Sequence, residues 1–151
     1  MILGIKLGRR LVAAAGLDDE RFIFRDSRFV PSRQAMLGPA MGRYLTQVLT
    51  AAAPAAVYCY APTEAHSLTE QLFALLEVQA ARLAIPVKRL TKFDIFTSFG
   101  VLPLRARDDL LAQAQLLWPD LTEMKKHRQL ALAEAAVAAL VGDLRQAWPT
   151  E

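Results

Sequence analysis

The side chains of this chain best suited to chemistry are basic ones set beside aromatics. Lys88, Arg89, Lys92, Arg105 and Arg107 stand near Phe93, Phe96 and Phe99. Cations interleaved with rings can neutralise phosphates while the rings stack on bases. The same stretch also reads as structure, with the phenylalanines packing a loop onto the core and the charges facing water. Lys6, Arg9 and Arg10 form a second basic group at a first hairpin. With Arg25 and Arg28 they could bind a phosphate backbone, and a solvated hairpin is an equal reading. Nucleophiles are scarce. Cys59 is the only cysteine and sits in an apolar run, so it reads as a small core residue. It can form neither an internal disulfide nor a zinc site alone. His66 and His127 lack a sequence partner for a triad and are expected to be exposed. Asp18-Asp19-Glu20 is a turn cluster with too few neighbouring oxygens for a metal loop. Glu64 is the one acid near the end of the fourth strand that could supply a metal site.

Composition limits what these residues can belong to. A chain of 151 residues suits one domain, taken as 1–151. Its 54% hydrophobic and 22% charged content is that of a chain that buries a core, which excludes disorder. No apolar run reaches the roughly 18 residues of a membrane span. The opening MILGIKLGRR has its charges after the apolar stretch, the reverse of a secretory signal. With one cysteine, a reducing, cytoplasmic setting is expected. A net charge of +3 permits a nucleic-acid partner without requiring one.

The elements that must position these residues follow from periodicity and turn chemistry. Residues 2–6 read as a buried strand, Gly8-Arg9 as a turn, 10–15 as a second strand and 16–20 as another turn. RFIFR at 21–25 alternates as a half-buried strand does, completing a three-stranded antiparallel meander. Ser32 is a candidate N-cap for a helix reaching about Ala53, kinked or restarted at Gly38-Pro39 and closed by Pro54. AVYCY at 56–60 is a fourth strand. Ser67 and Glu70 have the spacing of a capping box, opening a helix to about Leu83. VKRL at 87–90 is a fifth strand, and a loop with Gly100 and Pro103 follows. Asp108-Asp109 suit the start of a helix ending near Trp118-Pro119. The last helix, from about Lys126 to Ala147, is rich in Ala, Leu and Val and is expected to be buried on most sides. The order is β-β-β-α-β-α-β-α-α.

The C-terminal half resembles the RuvC-like, Holliday-junction-resolvase branch of the RNase H-like superfamily. LLAQAQLLWPDL carries an aromatic-Pro pair in Trp118-Pro119. KKHRQLALAEAAVAALVG carries Ala133-Glu134-Ala135 and closes on Val141-Gly142. Upstream, LAIPVKRLTKFDIFTSFG resembles a further family stretch. The resemblance covers residues 66–145 and, more loosely, 1–30. It implies an α/β fold of RNase H-like type: a mixed five-stranded sheet, the meander plus two parallel strands, flanked by helices. It also implies two divalent metals about 4 Å apart, held by carboxylates, that activate water and stabilise a leaving oxygen.

The implied carboxylates are mostly missing. The first strand reads GIKLG, so Lys6 stands where an aspartate is expected. Cys59 or Tyr60 falls where a glutamate would be. Glu134 is retained on the last helix, but its partner one turn earlier is Ala131. The site is therefore degenerate (Lys6, Cys59, Tyr60, Ala131, Glu134), with no metal and no cofactor expected. Glu134 is then either an ion-pair member, with Lys6 as its partner, or a solvated helix residue. Three functions remain open. The chain is an inactive module binding nucleic acid, with branched DNA a candidate, through Lys6, Arg9, Arg10, Lys88, Arg89, Lys92, Arg105 and Arg107. It is an interaction or scaffold subunit with no DNA. Or it is an endonuclease using Mg2+ through non-standard ligands such as Glu64 and Glu134. A homodimer, or a place in a larger complex, is the expected assembly, and no membrane is involved.

Overall fold

The computed structural model describes residues 1–61, 67–98 and 107–147. Five strands form one sheet in the order β3-β2-β1-β4-β5. β1 (Ile2–Leu7), β2 (Leu11–Asp18) and β3 (Arg21–Phe29) make the antiparallel meander. β4 (Ala56–Tyr60) and β5 (Val87–Leu90) add in parallel to β1. The expected mixed sheet is thus the one observed, though β2 and β3 run further than alternation alone marked. The turn between them uses Asp19 and Glu20, both with positive φ (51° and 64°). Positive φ at both central residues suits a two-residue hairpin of type I′, whose twist matches the strands. Glu20 is held there by a partner far away in sequence: its carbonyl accepts the indole N–H of Trp118 at 2.9 Å.

Strand parity divides the sheet into two faces. Leu3, Ile5, Leu7, Val12, Ala14, Val57 and Cys59 face α1 (Gln34–Ala52) and α2 (Ser67–Arg82). Ile2, Ala13, Ala15, Leu17, Tyr58 and Tyr60 face the other layer, made of α3 (Lys92–Ser98), α4 (Arg107–Leu117) and α5 (Lys126–Ala147). A 3-10 turn, Pro119–Glu123, links the last two. Glu134 apart, residues 132–141 of α5 are apolar, and all ten are buried, as the Ala-rich pattern led us to expect.

Several local expectations are corrected. α1 begins after Arg33, which gives no side-chain cap, so Ser32 is not the N-cap. The helix runs unbroken through Pro39. That proline removes a bond to the carbonyl of Ala35, still in the first turn, where little helix lies upstream to be disrupted. Glu70 does not turn back to cap α2; both its oxygens take Arg89, at 2.6 and 3.0 Å. The reciprocal cap lies elsewhere. Thr91 Oγ1 accepts the Asp94 N–H at 3.1 Å, and Asp94 Oδ2 accepts the Thr91 N–H at 2.8 Å. It opens α3, a helix where a loop was expected.

α5 lies on the sheet at unusually close range. A Cβ on Gly4 would fall on the carbonyl oxygen of Ala135 and lie 2.7 Å from the amide nitrogen of Ala139. A Cβ on Gly142 would fall within the ring of Tyr58. Both obstacles are backbone or a buried ring, so neither can step aside cheaply. Gly4→Ala should therefore destabilise the protein by about 1–3 kcal/mol or more. Urea unfolding measures it, and an unchanged midpoint would show that the helix can retreat.

Candidate functional site

The close approach of α5 places three of the candidate residues together. Lys6 registers with Tyr60 on the parallel neighbour and with Ala13 on the antiparallel one. All three project towards α5. Glu134 projects back from the helix, and its Oε2 lies 2.9 Å from Lys6 Nζ. Both residues are buried, at 5% and 4% exposure. The ammonium also sits 4.0 Å from the centre of the Tyr60 ring. The face of a tyrosine attracts a cation, more strongly out of water. The reading of Glu134 as a solvated helix residue is overturned; the ion-pair reading describes it.

Parity also decides between Cys59 and Tyr60. Tyr60 is on the Lys6 face. Cys59 pairs with Ile5 and points into the opposite core, away from Glu134. Burial pushes its thiol far above the ordinary range, outweighing the nearby positive charges of Arg89 and Lys6. Ala131, one turn before Glu134, is half-buried against the same core and offers no ligand atom.

The basic residues separate. Lys6 is committed to Glu134. Arg9 and Arg10 are exposed on the β1–β2 turn, at the end of the sheet where β1, β4 and β5 all finish. Lys92 begins α3 at that same end, its ammonium 5.6 Å from the Phe96 ring centre. Phe96 packs on the core while Phe93 is 74% exposed, so the phenylalanines divide between the two readings. Lys88 and Arg89 lie on the β5 edge. Arg89 is occupied by Glu70 and by the ring of Phe73 at 5.0 Å. Glu64, His66, Phe99 and Arg105, and the side chain of Arg107, lie outside the described residues. Among the described residues, no three of His, Cys, Asp and Glu gather as a metal would need. Nor is any helix among them long and apolar enough to cross a membrane.

A further group was missed in the sequence. α5 antiparallels β1, so its start lies at the same sheet end as the β1–β2 turn. There Arg128 reaches across to β3 and donates to Ser27 Oγ at 2.7 Å. His127 stacks on Phe29, ring centres 5.7 Å apart and planes 17° off parallel. The run Lys125-Lys126-His127-Arg128 reads as an exposed charge cluster, and nothing local announces a partner about 100 positions earlier.

A mixed sheet with an antiparallel meander, two added parallel strands and a long helix across β1 is the RNase H-like arrangement. Within it the fold is RuvC-like. The chain is similar to the Thermus thermophilus RuvC structure, with a TM-score of 0.77 over 97% of this chain and 95% of that one, at 15% identity. It is similar also to T. thermophilus RuvC in complex with a Holliday junction substrate, with a TM-score of 0.75 over 96% and 93%, at 14% identity. No family model matches the sequence, and no curated protein does.

Removing one member of the buried pair strands the other charge, so Lys6→Met or Glu134→Leu should each destabilise by about 3–5 kcal/mol, and the double variant should recover most of the loss. Additive losses in a double-mutant cycle by chemical denaturation would show the pair to be uncoupled. Cys59, protonated and buried, should resist a thiol reagent at neutral pH and react stoichiometrically once denaturant is added.

Proposed function

We propose that this chain is a catalytically inactive RuvC-like module that binds nucleic acid, branched DNA among its candidate ligands. The single observation that carries the proposal is the Lys6 ammonium 2.9 Å from Glu134. Two-metal hydrolysis needs several oxygen ligands around two divalent cations. Here Glu134, the carboxylate that α5 turns towards Lys6, is neutralised by a cation. The strand positions beside it hold a lysine and a tyrosine, and the next inward helix position is an alanine. These residues do not fit a two-metal centre.

Nucleic-acid binding draws its support from two further features. The solved RuvC-like protein of similar fold was captured with a Holliday junction. In this chain Arg9, Arg10, Lys92, Lys125 and Lys126 are exposed around the sheet end that borders Lys6 and Tyr60. Phosphate contacts position a protein on nucleic acid without reading sequence. A second reading, an interaction subunit without DNA, is favoured by one observation. An apolar groove between α1 and α2 is lined by Leu37, Gly38, Ala74, Leu75 and Val78, with Val78 half-exposed.

Gel-shift titration with duplex, junction and single-stranded DNA separates the two. A complex with about four phosphate contacts weakens by about two orders of magnitude between roughly 50 and 200 mM salt. Absence of any complex at low salt would favour the interaction subunit. Incubated with Mg2+ or Mn2+, junction DNA is expected to stay intact. Clean cleavage that disappears in Glu134→Ala would overturn the inactivity.

A further inference from the structure

The end of β3 and the start of α5 form a surface that the buried pair does not explain. Phe29, on the outermost strand, is 55% exposed although it is a large apolar ring. His127 stacks on it. The guanidinium of Arg128 lies 5.5 Å from its centre and donates through Nε to His127 Nε2 at 3.3 Å. Arg128 is itself pinned to Ser27, so the two rings are held by a fixed cation rather than left mobile. Beside them an open groove is lined by Arg25, Ser27, Lys125 and Arg128, and also by Asp26 and Glu123. Asp26 turns one oxygen back onto the Ser27 N–H at 2.7 Å. The cations do not serve the helix. α5 has no acid in its first turn, and Lys126, His127 and Arg128 sit at its positive end, where like charge is unfavourable.

We propose that this surface binds a single-stranded segment of nucleic acid. Its phosphates lie along Arg25, Lys125 and Lys126, and one unpaired base extends the Phe29–His127 stack. The inference rests on the nucleic-acid reading above and adds where on the molecule, and to which form, binding occurs. The exposed ring selects the form. A base inside a duplex already has both faces covered, whereas an unpaired base gains a stacking partner. Phosphate contact alone favours duplex and single strand alike.

The test is fluorescence anisotropy of the full chain with a labelled thymidine oligonucleotide and with a duplex of equal length. The unaltered chain should prefer the single strand. Phe29→Ala should weaken single-strand binding by about tenfold or more while changing duplex binding little, and Phe29→Trp, which keeps a ring, should retain it. Lys125→Glu with Lys126→Glu, both on exposed positions, should weaken both forms and flatten the salt dependence. Thermal melting of each variant confirms that it is folded. If the unaltered chain binds but these variants bind equally well, the surface is wrong and the nucleic-acid reading stands. Equal losses for both DNA forms in Phe29→Ala would overturn the single-strand assignment. If the unaltered chain binds neither DNA at low salt, both readings fall together.

Discussion

The contact between Gly4 and the backbone of α5 sets the geometry of everything around it. A helix packed on a sheet usually stands off by the length of the side chains between them. Here Gly4 presents no side chain, and α5 meets it with Ala135 and Ala139. The helix backbone therefore comes down onto β1, and Gly142 repeats the approach over Tyr58. At this range the next residue of β1 on the same face, Lys6, cannot reach water around the helix. Its ammonium must find a partner within the interface, and Glu134, one residue before Ala135, is the group that faces it. Small residues thus create both the tight packing and the buried charge. The pair need not add net stability. Removing two ions from water can exceed what their attraction returns, and the Tyr60 face supplies only part of the difference. What the pair does is make each partner indispensable to the other.

Much of the architecture was legible because the signals are local. The cluster at 16–20 and the alternation in RFIFR mark a hairpin, although its turn is only Asp19-Glu20 and residues 16–18 belong to β2, and an Ala-rich run some twenty residues long can only be a buried helix. The failures are equally physical. Ser67 and Glu70 have capping spacing, but a guanidinium on β5 offers Glu70 two charge-assisted bonds, and tertiary contact wins. Thr91 and Asp94 have the same S/T-x-x-acid form, yet the short helix they open lies in a stretch rich in phenylalanine and lysine, where no period is visible. Pro39 suggests a break only if its place relative to the helix start is unknown.

The site was legible to different depths. That Lys6 and Glu134 face each other follows from fold resemblance combined with their charges, since nothing along the chain relates positions 6 and 134. Cys59 and Tyr60 could not be separated without the strand register, because a shift of one residue exchanges the faces. Basic residues were grouped by proximity in sequence, which joined Lys88 and Arg89 to Lys92. In space Arg89 turns to α2, while Lys92 shares its end of the sheet with Arg9, Arg10 and the start of α5.

The charge balance at that sheet end bears directly on how it meets phosphate. A cluster of carboxylates repels a nucleic-acid backbone until cations fill it, so a metal-dependent nuclease without metal works against its own substrate. Relative to the aspartate that the family resemblance implies at this position, Lys6 has one negative charge fewer and one positive charge more. That positive charge is spent on Glu134, leaving the pair neutral. The exposed arginines and lysines around it are then opposed by no uncompensated acid within the pair. Such a surface needs no divalent ion to attract phosphate, and the proposed attraction would weaken as salt rises. A buried pair that leaves Glu134 no free charge for a cation is therefore compatible with the proposed binding, which would need no magnesium.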